Sequence, residues 1–195
     1  MGKHRKGIIL INTKEGVRRI LKYKNTNIDI IKGDITEQDV DVIVNAANNT
    51  LLGGEGVDGI VHRKGGRIIL EQCKKHGGCP TGEARLTTAG DLPSKYVIHT
   101  VGPIYGDNKQ ENEKFLYNAY YNSLNLAWEY DLKSIAFPAI STGAYRYPVE
   151  EAVIIVFSAI KDFIDSNNEI EQINFILYND DKYNVYTEYF RNLLS

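Results

Sequence analysis

The sequence predicts an α/β fold, a three-layer α/β/α sandwich built on one central mixed sheet. Short apolar runs alternate with longer stretches of helical period along most of the chain. Several of those runs end in polar or glycine-bearing loops, the places where an α/β protein collects its ligands. With 195 residues, 43% of them hydrophobic, the chain can bury one sizeable core and has no need of a second.

Residues 1–25 read as a basic extension ahead of a domain covering 26–195, with a short helix expected over Thr13 to Tyr23 that Gly16 weakens. Asn27 to Lys32 is an isoleucine-rich strand ending at Gly33-Asp34-Ile35-Thr36, where a short helical turn starts. Val40 to Asn45 is the next strand. The amides of Asn45, Asn48 and Asn49 follow it, then a turn carrying Gly53, Gly54, Gly56 and Gly59, then a helix beginning near Val57. Gly65-Gly66 breaks that helix from a second over Arg67 to Lys75. Thr81 to Ala89 and Tyr96 to Val101 read as strands, and Glu111 to Tyr130 carries Leu116, Ala119, Tyr120, Ser123, Leu124 and Ala127 at helical spacing. Ser134 to Pro138 is a short buried strand running into Ser141-Thr142-Gly143-Ala144-Tyr145. A helix with Pro148 near its first position follows. Ile173 to Tyr178 is the last strand, and the terminal helix carries Tyr186, Tyr189, Phe190, Leu193 and Leu194.

A net charge of −2 gives no general attraction to nucleic acid. The exception is the N-terminus, where eight Lys and Arg side chains from Lys3 to Lys24 face only Glu15; such a bias marks a solvated extension more often than a docking surface. No run reaches membrane-spanning length, and Gly7 to Ile11 is too short for a secretory signal, so a soluble, cytoplasmic protein is expected. Cys73, His76 and Cys79 are spaced as Cys-x-x-His-x-x-Cys, with His62 a conceivable fourth zinc ligand. Structural zinc sites are closed by four ligands, so free thiols are the preferred reading.

The glycine turn is the strongest chemical signal. Glycine lets the backbone take positive φ and aim successive N–H groups into one small volume, which suits phosphate oxygens. The helix N-terminus behind it adds unpaired donors and partial positive charge, with Asp58 in its first turn. Gly54 to Gly59 also fits G-x-G-x-x-G, but Asn45 to Gly53 intervenes between strand and turn, against a dinucleotide site. Asp34, Asn48, Ser141 to Tyr145 and Tyr178 all fall just after strands, so parallel strands would bring them to one edge. Together they describe a nucleoside diphosphate site: Asp34 for an exocyclic amine, Tyr178 to stack on a base, two loops for the phosphates, and Asn48 with Asp58 beyond. Each has an ordinary alternative. Asp34 serves equally as an N-cap, Tyr178 as a core aromatic, Ser141 to Gly143 as a turn, and His62 as a partner of Asp58 or a plain helix residue.

These residues resemble the macro domain family, in its MacroD-like branch of ADP-ribosyl hydrolases. The resemblance rests on Gly33 to Thr36, Val42 to Arg63, Gly78 to Ala84, Tyr96 to Pro103 and Pro138 to Pro148. It implies hydrolysis of mono-ADP-ribose from acidic side chains, and of O-acetyl-ADP-ribose, with no metal and no cofactor. Its partners would be ADP-ribose and ADP-ribosylated proteins. Asn48 and Asp58 would be catalytic and His62 supporting. Asp34, Ile35, Gly54, Glu55, Gly56, Val57, Ser141, Thr142, Gly143, Ala144, Tyr145 and Tyr178 would bind the ligand. A non-catalytic reader of ADP-ribose is the competing reading. One departure bears on both: the family's run of four glycines reads Gly53-Gly54-Glu55-Gly56 here. A carboxylate about 4 Å from a phosphate charge costs about 4 kcal/mol at an effective dielectric near 20, unless it points outward.

Overall fold

The computed structural model describes residues 6–13, 16–167 and 169–192, with side chains from Ile20 onward. Eight strands, β1 (Lys6–Thr13), β2 (Gly16–Tyr23), β3 (Thr26–Lys32), β4 (Val42–Ala46), β5 (Ala84–Thr88), β6 (Tyr96–Thr100), β7 (Ser134–Phe137) and β8 (Gln172–Leu177), form one sheet in the order β1-β2-β3-β8-β7-β4-β6-β5. Between them run α1 (Gly56–Gly65), α2 (Arg67–His76), α3 (Lys109–Glu129), α4 (Val149–Ser166) and α5 (Asp180–Asn192), with a 3-10 turn at Ile35–Glu37. β3, β8, β7, β4 and β6 pair in parallel, with α3 carrying the chain from β6 back to the start of β7 and α4 from β7 back to the start of β8. β1, β2 and β5 are antiparallel additions at the two edges.

Strand side chains alternate between two cores. Val42 and Val44 enter the larger one with Leu116 and Tyr120 of α3, Val156 and Phe163 of α4, and Tyr186 of α5. Ile43, between them, enters the smaller one with Val61 of α1 and Ile69 and Cys73 of α2. The three-layer sandwich is therefore as the apolar periods predicted. On α4 the apolar stripe has a limit: Ile154 is exposed.

The N-terminal reading is corrected. Gly16–Tyr23 is a strand, not the expected helix, and it belongs to the sheet. Ile20, Leu21 and Tyr23 are buried, and the Tyr23 hydroxyl donates to Asp165 Oδ1 at 2.8 Å. The apolar run of β1 supplies a ladder partner over all eight of its residues, which a helix with a glycine in its first turn could not outweigh. Of the basic charges, Lys3, Arg5 and Lys14 lie outside the described residues.

One carboxylate ties the amino ends of three strands. Asp41 Oδ2 accepts from Lys133 N (2.9 Å), Ser134 N (3.0 Å) and Ser134 Oγ (3.1 Å), while Oδ1 takes Lys95 Nζ at 2.6 Å. Burial raises its pKa, but the bonds from Lys95, Lys133 and Ser134 outweigh that and hold it at about 2. An acid whose pKa is depressed by folding stabilises the protein above its unfolded value, about 3.9, and loses that contribution as pH falls toward 2. Asp41→Asn should cost about 1.5–3 kcal/mol at pH 7. In urea unfolding the difference from wild type should shrink below pH 4; a pH-independent difference would mean the charge is not what matters.

Candidate active site

Parallel pairing sends the chain out of β8, β7, β4 and β6 at one edge, and the loops that leave there enclose a cleft of about 540 Å³. Its walls are Ala46 to Asn48 and Gly54 to Asp58 at and after the end of β4, Pro138 to Ser141 and Gly143 to Tyr145 after β7, Tyr178 and Asn179 after β8, and Gly102 after β6. Gly33 N donates to Leu177 O at 3.1 Å, which brings the end of β3 alongside the same rim.

The loop after β4 is shaped for backbone donors. Gly53 and Gly56 have φ of 91° and 60°, conformations that side chains rarely adopt. Gly54 is glycine for a different reason: a Cβ there would sit 2.9 Å from Asp58 Oδ2 and 3.2 Å from Asn48 Nδ2. Glu55 is the N-cap of α1 and makes no capping hydrogen bond, so no side chain of the cap satisfies the N–H groups of the first turn. Opposite lies Ser141, in the left-handed region at φ 65° although it is no glycine. Its buried Oγ has no hydrogen-bond partner among the described residues. The loop after β7 rests on Gly102, where any Cβ would meet Ser141 Oγ and Ile140.

Asp58 is almost fully buried and held from several sides. Asn45 Nδ2 donates to Asp58 Oδ1 at 2.7 Å. His62 Nε2 lies 3.5 Å from the same oxygen, an electrostatic neighbour too distant for a good hydrogen bond. Oδ2 faces Asn48 Nδ2 at 3.5 Å, and that amide also donates to Gly53 O at 2.9 Å. Burial raises the pKa of Asp58, with the Asn45 bond and the His62 charge opposing it. The group is a carboxylate with one oxygen fastened and the other turned toward the glycine loop.

The structure gathers most of the sequence-predicted residues. Asn48, Gly54, Glu55, Gly56, Val57, Asp58, Ser141, Gly143, Ala144, Tyr145 and Tyr178 all line the cleft. Tyr178 is 83% exposed, so it is a free aromatic face and no part of the core. Thr142 and His62 are not part of the lining, though each adjoins a residue that is: Thr142 follows Ser141, and His62 Nε2 lies 3.5 Å from Asp58. Ile35 is buried in the smaller core. Asp34 caps the 3-10 turn through Oδ1, which accepts from Thr36 N (2.9 Å) and Thr36 Oγ1 (2.6 Å), and pairs with Lys64 Nζ through Oδ2 (2.9 Å). Burial would raise its pKa, but the bonds from Thr36 and Lys64 hold it below the ordinary value.

The sequence reading missed Lys182, whose half-buried ammonium lines the cleft with its pKa lowered by burial. It gave no role to Asn45 or His99 either. The signal was there: each is a polar residue inside an otherwise apolar strand, Val42-Ile43-Val44 and Val97-Ile98, and the strand register sets them side by side.

The Cys-x-x-His-x-x-Cys spacing does not gather. His76 is exposed, bonded to Leu86 O, and both thiols are free and buried. Instead His62, Cys73 and His99 bring ligand atoms within 4.8 Å of one another. That cluster is poorly suited to a metal. Asn45 Nδ2 donates to Asp58 and meets His99 Nδ1 at 3.1 Å, so Nδ1 accepts and the ring proton sits on Nε2, facing Thr87 Oγ1 at 2.9 Å. Cys73, which a metal would need as thiolate, is pushed up to about 12 by burial and by the Asp58 charge.

The Macro domain family model matches residues 44–156. The chain is 48% identical over 165 residues to a protein of Escherichia fergusonii named O-acetyl-ADP-ribose deacetylase, covering 83% of this chain and 93% of that one. Its fold superposes on an Oceanobacillus iheyensis macrodomain with ADP at a TM-score of 0.84 and 36% identity, covering 97% and 98% of the two chains. A Trypanosoma brucei macrodomain in complex with ADP-ribose gives 0.79 and 37%, covering 84% of this chain and 66% of that one.

An acid whose pKa is raised by folding opposes folding once ionised: stability declines as pH rises from the unfolded value, about 3.9, through the folded one. Asp58→Asn keeps an acceptor for Asn45 and removes the charge. It should therefore unfold with a free energy about 1 kcal/mol higher at pH 7, a gain that vanishes below pH 4. A variant less stable than wild type at pH 7 would show that the charged bond to Asn45 outweighs burial.

Proposed function

We propose, from the premise that this chain belongs to the Macro domain family, that it binds ADP-ribose in the cleft and hydrolyses ester adducts of it. These are mono-ADP-ribose on acidic side chains of proteins and the acetyl ester of O-acetyl-ADP-ribose. The observation that carries the reading is the order of groups along the strand ends. Tyr178 follows β8 and Asn48 follows β4, with β7 between them. Two strand spacings are roughly 10 Å, and adding β3 makes roughly 14 Å. An extended nucleoside diphosphate sugar has that reach, and a cleft of about 540 Å³ suits its bulk.

In this reading the base stacks on Tyr178 with Asp34 and Ile35 at its edge. The N–H groups of Gly56 and Val57, together with the loop Ser141 to Tyr145, wrap the diphosphate. Thr142 supports that loop by donating from Oγ1 to Ala139 O at 2.9 Å. Asn48 orients the distal ribose, and Asp58 Oδ2 holds the attacking water. For an adduct on a protein carboxylate, water attacks the anomeric carbon, the bond from that carbon to the carboxylate oxygen breaks, and the water's proton passes to solvent. An ester has a good leaving group. Orientation plus modest base help, typically about 10²–10⁴-fold, is then sufficient without a metal. Asp58 acts chiefly as water anchor and His62 as its electrostatic neighbour. The names of the relatives, a deacetylase of O-acetyl-ADP-ribose and a macrodomain in complex with ADP-ribose, agree with this.

The non-catalytic reader is favoured by Glu55, a carboxylate at the phosphate-binding turn. Release of labelled ADP-ribose from a protein modified on acidic side chains separates the two readings: loss of label in EDTA supports the enzyme, and retention with bound ADP-ribose supports the reader. Asp58→Ala should lower turnover at pH 7 at least 100-fold while the Kd for ADP-ribose, by calorimetry, changes less than about 5-fold. Unchanged turnover would remove Asp58 from the chemistry.

A further inference from the structure

We infer that His99, which lies outside the cleft lining, is a positioning residue for the reaction: it fixes the side-chain amide of Asn45 so that Asp58 keeps its other oxygen, Oδ2, turned to the glycine loop. The inference rests on the proposed role of Asp58 and extends it inward. His99 is fully buried on β6, directly opposite Asn45 on β4, and both face the smaller core beneath α1.

The hydrogen bonds have one self-consistent direction. Thr87 Oγ1 donates to Thr88 O at 3.0 Å and is left to accept from His99 Nε2 at 2.9 Å. His99 Nδ1 is thereby an acceptor, and takes one N–H of Asn45 at 3.1 Å. The other N–H of the same amide goes to Asp58 Oδ1 at 2.7 Å. Asn45 Oδ1 meanwhile has no partner among the described residues. An amide with a buried, unsatisfied oxygen and both N–H groups engaged is held against its own tendency to turn over. Turned over, it would set its oxygen against the Asp58 carboxylate and against the Nδ1 lone pair. His99 makes the second of those contacts repulsive as the Asp58 charge makes the first, so the two together hold the amide of Asn45 in one orientation.

The titratable groups around the chain are few. His62 and Cys73 face Asp58 from α1 and α2, and Cys73 Sγ also stands 3.6 Å from His99 Nε2. His62 and His76 contribute charge near His99, but burial dominates and lowers it to about 3. With Nδ1 accepting from Asn45 and Nε2 donating to Thr87, both ring nitrogens are engaged inside the core. What the ring offers Asn45 is a fixed lone pair.

Leucine and asparagine have nearly the same shape, and only asparagine places an acceptor where Nδ1 stood. In His99→Leu the acid limb of the kcat profile should move to higher pH, because Asp58 loses a donor to its charged form. At pH 7, kcat should fall about 10-fold with KM within about 3-fold of wild type. His99→Asn should recover most of that loss. Asp58 should also titrate higher in the Leu variant than in the Asn variant by carboxyl-carbon NMR, a readout independent of turnover. If wild type hydrolyses nothing yet the titrations separate as stated, the proposed reaction fails, and what stands is that His99 sets the Asn45 amide and through it the ionisation of Asp58. Equal loss in both variants, with Asp58 titrating alike, would overturn it. If neither variant folds, Thr87→Val keeps the ring but frees its proton to move between nitrogens. An upward shift of the acid limb then supports the inference, and an unmoved limb ends it.

Discussion

The parallel pairing of β3, β8, β7, β4 and β6 is the constraint on which everything else depends. Strands that pair in parallel start at one end and finish at the other, so every loop leaving one of these five carboxyl ends is delivered to one edge. At the other end Asp41 binds the starts of β7 and β6 to that of β4. One end of the sheet is thus closed by charged hydrogen bonds. The opposite end is left as loops with unpaired donors, left-handed residues and a buried acid, none of which favours folding. The Asp41 bonds and the candidate site occupy opposite ends of the same strands.

How far the site was visible in the sequence depends on the kind of signal each part leaves. β-branched runs and glycine turns are local, so the strands and helices from Asn27 onward and the convergence of Asn48, Asp58, Tyr145 and Tyr178 could be read directly. Gly16–Tyr23 could not: Arg18, Arg19 and Lys22 blur its period of two, and its burial depends on pairing with β3. The Asn45 and His99 pair leaves even less trace. The two are 54 residues apart, and only the register of β4 against β6 shows that they touch. Asp34 illustrates a different limit, since capping and ligand binding ask for the same side chain at the same place, and the cap is what its hydrogen bonds display.

Asp58 shows how burial and hydrogen bonding divide the work of a carboxylate. Burial alone would make it a stronger base and a poorer anion. The Asn45 bond draws it back toward the charged form while occupying only Oδ1, and Oδ2 faces the Asn48 amide and the glycine loop. A strongly raised acid would spend its time protonated at neutral pH and hold water poorly. The polar residues beneath it oppose the rise that burial causes, at the expense of an unsatisfied amide oxygen on Asn45.

The place of Glu55 in the glycine turn follows from the same geometry. Three of the four positions require glycine: Gly53 and Gly56 for positive φ, and Gly54 because a Cβ would press on Asp58 and Asn48. At Glu55 φ is −100° and ψ is 176°, extended backbone that any residue adopts. Its side chain is exposed, so its charge acts on a phosphate largely through water, where a pair about 4 Å apart feels about 1 kcal/mol, and less in salt. The N–H groups that would cradle the phosphates belong to the backbone and are indifferent to the residue that carries them. A carboxylate is therefore tolerated at the one position of the turn where shape makes no demand.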